Sequence, residues 1–167
     1  MWEERRHPLT VCYVCVMIVY TTEGHALLDT HDERLARDLD SIDLSGRDLR
    51  RADLAGFDLS DANLRFTNLQ NADLYWAIMF RADCTGADLR DAILCGADLK
   101  AVNFNQSDLR GANLAHDNVG GSTQLQGASL AGAQLGGADL TGAEYDDATV
   151  FPGSFDPRAY AMRKVLR

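Results

Sequence analysis

Basic residues are in short supply: 16 Lys and Arg stand against 25 Asp and Glu, a formal charge of -9. That balance excludes a nucleic-acid grip built on a basic surface. Cysteine is also scarce, with four in 167 residues and two of them, Cys12 and Cys15, inside an apolar N-terminal run. Neither a disulfide-stapled scaffold nor a paired C-x-x-C zinc site is supported by so few. The longest apolar run, Leu9 to Tyr20, has twelve residues, well short of the roughly 20 that span a bilayer as a helix. What remains is a chain 46% hydrophobic, the composition of one soluble domain that holds itself together by core burial.

The first 26 residues read differently from the rest. Leu9 to Tyr20 fits the apolar region of a secretory signal, and Gly24-His25-Ala26 then offers small residues at the -3 and -1 positions of a cleavage site. On that reading residues 1–26 are a signal peptide and the mature chain begins at Leu27. Arg5 and Arg6 are offset by Glu3 and Glu4, which leaves little positive charge ahead of the run. A run rich in Val, Ile and Tyr also reads as a buried β-strand covering one end of the domain. Over residues 27–36, Thr30 and Glu33 have capping-box spacing, and Glu33 and Arg37 are placed for an i,i+4 ion pair. These predict a short capping helix.

From Arg37 onward an apolar residue recurs every five positions, from Leu39 through Leu54, Leu74, Leu94 and Leu114 to Val119. After one extra residue it resumes at Leu125 and runs to Val150. Neither a helix nor a flat strand has this period. Two positions earlier stands Ala in 14 of 23 pentads, and immediately earlier stands Asp or Asn in 16 of 23, so the unit is A-[DN]-L-x-x.

This unit resembles the pentapeptide repeat family, over about two thirds of the chain, residues 37–152. The resemblance implies an all-β solenoid, a right-handed quadrilateral β-helix of about six coils, in which the central residue and the one two before it point inward. A narrow tube has room for one bulky and one small side chain per face, so Leu alternates with Ala. Each coil buries its rungs only against its neighbours, and both ends need covers. Glycines at the last pentad position, among them Gly56, Gly96 and Gly137, suit tight corners. Arg37, Arg47 and Asp117 interrupt the inward pattern, which suggests frayed first coils and a distortion beside Gly120-Gly121. Residues 153–167 read as a C-terminal cap; Phe155 within it and Phe151 just before it plug the last coil, and Ala159 to Leu166 adds a helical turn or two.

No constellation carries chemistry. A filled tube with flat faces offers no concave site, so no catalytic residue and no cofactor is expected. Of His7, His25, His31 and His116, the last stands alone at an exposed corner with no second ligand at metal spacing, and no D-x-D-x-D-G calcium loop is present. The recurring Asp residues serve corner backbone groups.

The outer surface is more informative. Pentads 20 residues apart stack, which brings together Tyr75, Trp76, Ile78, Phe80 and Ile93. Ile78 and Ile93 replace the polar residue before the core position with a large aliphatic, beside an outward Tyr-Trp pair. Exposed apolar clusters rimmed by polar groups mark contact surfaces, and Trp and Tyr anchor contacts best. The plainer reading is that the aromatics pack on each other or on the N-terminal segment. A second feature is a mixed ladder of Arg50, Gln70, Arg90 and Arg110 with Asp48, Asn68, Asp88 and Asp108. Together these predict an exported, non-enzymatic protein-binding or scaffold protein of the periplasm or thylakoid lumen. It would have a protein partner, no direct nucleic-acid binding, and no stable membrane insertion after signal cleavage. The family resemblance also implies an alternative, a cytoplasmic acidic mimic of duplex DNA that binds DNA gyrase.

Overall fold

The computed structural model describes residues 17–20, 26–30 and 37–166. From Asp38 onward the chain winds as a square tube. Parallel bridges join each coil to the next at intervals of 20 residues, as in Asp38 to Asp58, Asp43 to Asn63, Asp48 to Asn68 and Asp53 to Asp73. The four bridge columns define four walls, numbered here by the core residue that follows each bridge. Wall one carries Leu59, Met79 and Leu99, wall two Leu64, Cys84 and Phe104, wall three Leu69, Leu89 and Leu109, and wall four Leu74, Leu94 and Leu114. All of these side chains are fully buried.

Each wall holds barely three extended residues before the chain must turn, so the backbone enters the left-handed region every fifth residue. The nine corner glycines from Gly46 to Gly142 sit there at no steric cost. An Asp or Asn before the core position caps its own corner, as where Asp53 Oδ1 accepts from Ala55 N–H and Asp73 Oδ1 from Tyr75 N–H. The small residue two before the core position completes the filling: Ala52, Ala72, Ala92 and Ala112 are fully buried.

The regular count fails at two places. Asp98 pairs with Gln124 and Asn113 with Asp139, 26 positions on instead of 20. A whole pentad and one further residue therefore leave the wall as a loop around 116–121. Val119, expected inside, is 81% exposed. Near the C-terminus Ser129 pairs with Val150, one position late. Val150 thus occupies a bridge position and is 49% exposed, while Phe151 takes the inward place and packs on the core. Arg37 and Arg47 point outward, and the Arg37 guanidinium lies 5.9 Å from the Phe57 ring centre.

The ends also differ from the sequence expectation. The capping helix over 27–36 is not formed in its first part. Strand β2 (Ala26–Thr30) pairs antiparallel with β1 (Met17–Tyr20), with Ile18 opposite Asp29 and Val19 opposite Leu28. The β-branched and aromatic run Met17–Tyr20 offers an extended partner whose ladder satisfies these backbone groups. Residues 31–36, Cys12, Cys15, His7, His25 and His31 lie outside the described residues. A cut after Ala26 would fall within β2.

At the other end, Tyr145, Phe151, Phe155 and Tyr160 form a continuous aromatic stack with successive ring centres 5.5, 5.0 and 4.5 Å apart. The helical expectation over Ala159–Leu166 is replaced by one 3-10 turn, Pro157–Tyr160, and a short strand β4 (Arg163–Lys164). Ala161 in the left-handed region ends the turn. Arg163 N–H and Val165 N–H then donate to Ala143 O and Tyr145 O, so β4 runs parallel to β3 (Glu144–Tyr145). The exposed edge of the last coil is the reason: its free carbonyls hold the tail extended.

Candidate interaction surface

The five residues singled out by stacking all face solvent, with exposures between 38% for Tyr75 and 47% for Trp76. Tyr75 and Ile93 lie on wall four, Ile78 and Phe80 on wall one, and Trp76 is the corner between them. The bridges Asp73 to Ile93 and Asp58 to Ile78 fix the register. Trp76 holds a left-handed corner at φ +55°, a position that glycine fills in the next coil at Gly96. A Cβ on Gly96 would sit 2.8 Å from Trp76 Nε1, and one on Gly121 would sit 2.6 Å from the indole. Both glycines let the ring lie flat along the corner.

The aromatics are not simply packed on each other. Tyr75 and Trp76 have ring centres 6.4 Å apart at 58°, and both reach the same carboxylate. Trp76 Nε1 donates to Asp117 Oδ2 at 2.6 Å, and Tyr75 OH makes a longer 3.4 Å contact with it. The other oxygen, Oδ1, accepts from Val119 N–H at 3.0 Å and Gly121 N–H at 2.5 Å. Burial pushes the Asp117 carboxyl up, but the donors from Gly121, Trp76, Val119 and Tyr75 outweigh it and hold it below its ordinary value. Asp117 therefore ties the 116–121 loop to the aromatic corner. Sequence reasoning treated Asp117 only as an irregularity. Its place at an inward position three residues before a Gly-Gly pair was the available signal.

Ile78, Phe80 and Ile93 have no comparable tie. The Arg81 guanidinium stands 5.3 Å from the Phe80 ring centre and is held there by Asp61, with Nε to Oδ1 and Nη2 to Oδ2 both 2.7 Å. Phe66, exposed at the corner of walls two and three, lies over Gly86 and belongs to no part of this cluster.

Among the described residues, no group of His, Cys, Asp and Glu is placed to hold a metal ion. His116 Nδ1 is engaged with Thr141 O at 3.0 Å. The Cys84 thiol is wholly buried, and burial pushes its pKa far up, the opposite of a reactive thiol.

The geometry is thus a tube with one apolar corner and a loop that interrupts the five-residue count. A family model described as "Pentapeptide repeats" matches residues 42–79, 77–114 and 122–145, leaving out 115–121, the stretch that leaves the wall. The chain belongs to the pentapeptide repeat family. A pentapeptide repeat protein from the cyanobacterium Cyanothece 51142 is 30% identical, with 70% of this chain and 92% of that one covered and a TM-score of 0.56. One from Nostoc PCC 7120 is 34% identical over 68% of this chain and 84% of that one, with a TM-score of 0.40. One from the Arabidopsis thaliana thylakoid lumen is 35% identical over 74% and 72%, with a TM-score of 0.36. No match was found among curated proteins.

In this pentapeptide repeat protein wall three carries the mixed ladder as paired rungs. Arg50, Arg90 and Arg110 each fold back on the aspartate two residues earlier, with Nη2 to Oδ2 distances of 2.7, 2.8 and 2.6 Å. The Gln70 amide reaches across to Asp88. The Arg90 side chain, with help from Gln70 and the Arg90 N–H and against the push of burial, brings the Asp88 carboxyl down to about 2. A folded value below the unfolded aspartate value of about 3.9 stabilises the fold above that pH. The contribution is lost as pH falls through about 2. The urea midpoint of the native protein should therefore fall more steeply between those two values than that of Asp88→Asn. Equal slopes would show that the rung adds nothing to folding.

Proposed function

We propose that this pentapeptide repeat protein is a non-enzymatic, exported protein-binding or scaffold module that engages its partner through the corner of walls four and one. The observation that carries the reading is the apolar cluster itself. A side-chain-filled tube requires nothing of its outer positions, yet Tyr75, Trp76, Ile78, Phe80 and Ile93 are all exposed within one coil. Large exposed apolar patches on small proteins mark contact surfaces. Supporting export are the apolar run Leu9 to Tyr20 and the small residues Gly24 and Ala26 after it.

A photo-crosslinking side chain at position 80, compared with one at position 50 on wall three, tests the surface. A discrete adduct from position 80 alone, lost with Ile78→Ser/Ile93→Ser, is expected. Equal adducts from both positions, or none from 80, count against the reading. Trp76→Ala and Tyr75→Ala should likewise abolish capture of the crosslinked partner with little change in the thermal midpoint, because losing the indole opens Asp117 to water instead of stranding it. The intact mass of protein from separated fractions tests export: a species beginning at Leu27 outside the cytoplasm is expected, and a full-length cytoplasmic species refutes it.

The charge of -9 favours a second reading, the cytoplasmic DNA mimic that binds DNA gyrase. Against it, the arginines of wall three pair with their own aspartates and break the negative field. A gyrase supercoiling assay with the full chain distinguishes the two.

A further inference from the structure

The chemistry of the partner is written in the rim of the apolar corner. On wall four the column beneath Ile93 is Asp73 and then Asp53, and on wall one Asp58 lies directly beneath Ile78. Neighbouring rungs of a sheet stand about 4.8 Å apart, so each isoleucine has a carboxylate as its immediate neighbour on the N-terminal side. These carboxylates accept from the backbone N–H groups of Ala55, Ser60 and Tyr75, and no Lys or Arg among the described residues pairs with Asp53, Asp58 or Asp73. Six aspartates elsewhere, Asp48, Asp61, Asp83, Asp88, Asp98 and Asp108, each hold an Arg or Lys. Three carboxylates with no Lys or Arg partner among the described residues thus border the patch on one side.

Resting on the docking surface proposed above, we infer that the corner of walls four and one binds a cationic amphipathic segment of a protein partner. Its apolar side chains sit on Trp76, Ile78 and Ile93, and its Lys or Arg residues lie toward the N-terminal coils, over Asp53, Asp58 and Asp73. Complementary charge fixes such a segment's direction and speeds its encounter, while apolar contact supplies the hold. A second copy of this chain is disfavoured as the occupant because it would bring the same carboxylates against one another.

The test uses the full chain and three synthetic 14-residue amphipathic peptides with the same leucine face and Lys, Gln or Glu on the other, titrated at physiological salt. The Leu/Lys peptide should bind at least tenfold more tightly than the Leu/Gln peptide. Ile78→Ser/Ile93→Ser should weaken it tenfold or more. Asp58→Asn/Asp73→Asn should reduce it to the Leu/Gln level and leave Leu/Gln binding unchanged. The remote pair Asp43→Asn/Asp48→Asn removes the same charge and should change it less than twofold. All the substituted side chains lie on the outside of the walls, so far-UV spectra should be unchanged.

If Asp43→Asn/Asp48→Asn weakens Leu/Lys binding as much, the attraction is diffuse and the inference fails. Equal binding of all three peptides, sensitive to the isoleucine variants, keeps the docking surface and overturns the cationic partner. No binding by any peptide overturns the inference while the crosslink from position 80 still decides the broader reading. A dimer in sedimentation that Ile78→Ser/Ile93→Ser dissolves makes the corner a self-interface and overturns it as well.

Discussion

Replacing Leu94 by alanine should lower the unfolding free energy by about 2 to 5 kcal/mol, toward the upper part of the range for buried leucines. Leu94 is fully buried, and so are Leu74 and Leu114 on either side of it in wall four and Ala92 and Ala97 around it. The size of the loss depends on whether neighbours can collapse into the space. Here they cannot, because every coil is pinned to the next through its backbone: Leu74 N–H donates to Ile93 O, and Leu94 N–H to Asn113 O. Sliding one rung toward the gap would stretch bonds on both sides of it. The same stacking makes each coil depend on its neighbours, so a cavity at mid-tube weakens both flanks. Urea unfolding measures the effect, and a change below half a kilocalorie per mole would mean that Leu94 does not point inward. Val119→Ala, at a position with the same spacing, is the internal control. With Val119 81% exposed, it should fall within about half a kilocalorie per mole of the native chain.

That contrast also shows where the sequence was legible. The tube could be read because its cause is local and repeated. The inward pairs Leu and Ala, the corner-capping Asp and Asn, and glycine at left-handed corners each state the same geometry at every pentad. Deviations from the repeat carry no such redundancy. A single extra residue near Gly120-Gly121 could be absorbed in place or by releasing the pentad before it, and the period does not distinguish the two. Burial does, since Asp117 in the wall would put a carboxylate into an apolar tube. In the loop, the same carboxylate gains four donors. The late shift at Asp146-Asp147 has the same character: counting places Val150 inside, whereas the aromatic stack favours Phe151. Over residues 27–30 a strand stands where a helix was expected, for a different reason. Helix caps are local signals, and the pairing of β2 with β1 is not local. As for the candidate surface, stacking by 20 placed the five apolar residues on adjoining walls, where all are exposed, but Asp117, which holds Tyr75 and Trp76, lay outside the repeat and so outside the rule.

Thr123→Val should cost about 1 to 3 kcal/mol, the loss expected when a buried donor is left without an acceptor. At the regular corners the backbone N–H donates to a carbonyl 19 residues on, as Gly56 does to Tyr75 O, Trp76 to Cys95 O and Gly86 to Asn105 O. For Gly96 that acceptor would be Ala115 O, but the chain is leaving the wall there. The wholly buried Thr123 hydroxyl fills the gap. It accepts from Gly96 N–H at 3.0 Å and shares its own proton between Leu94 O at 3.1 Å and Ala115 O at 3.0 Å. Valine has the same shape and none of this capacity, so the loss is polar and not steric. Thr123→Ser should recover most of it. Exchange of the Gly96 amide proton gives the local readout: protection should fall in Thr123→Val and return in Thr123→Ser. A Thr123→Val protein as stable as the native chain would show that the loop closes without the hydroxyl. Because Thr123 fixes where the chain re-enters the wall, it also fixes where Asp117 meets Trp76. The valine variant should therefore loosen the Tyr75–Trp76 side of the apolar corner and leave Ile78 and Phe80, on wall one, in place.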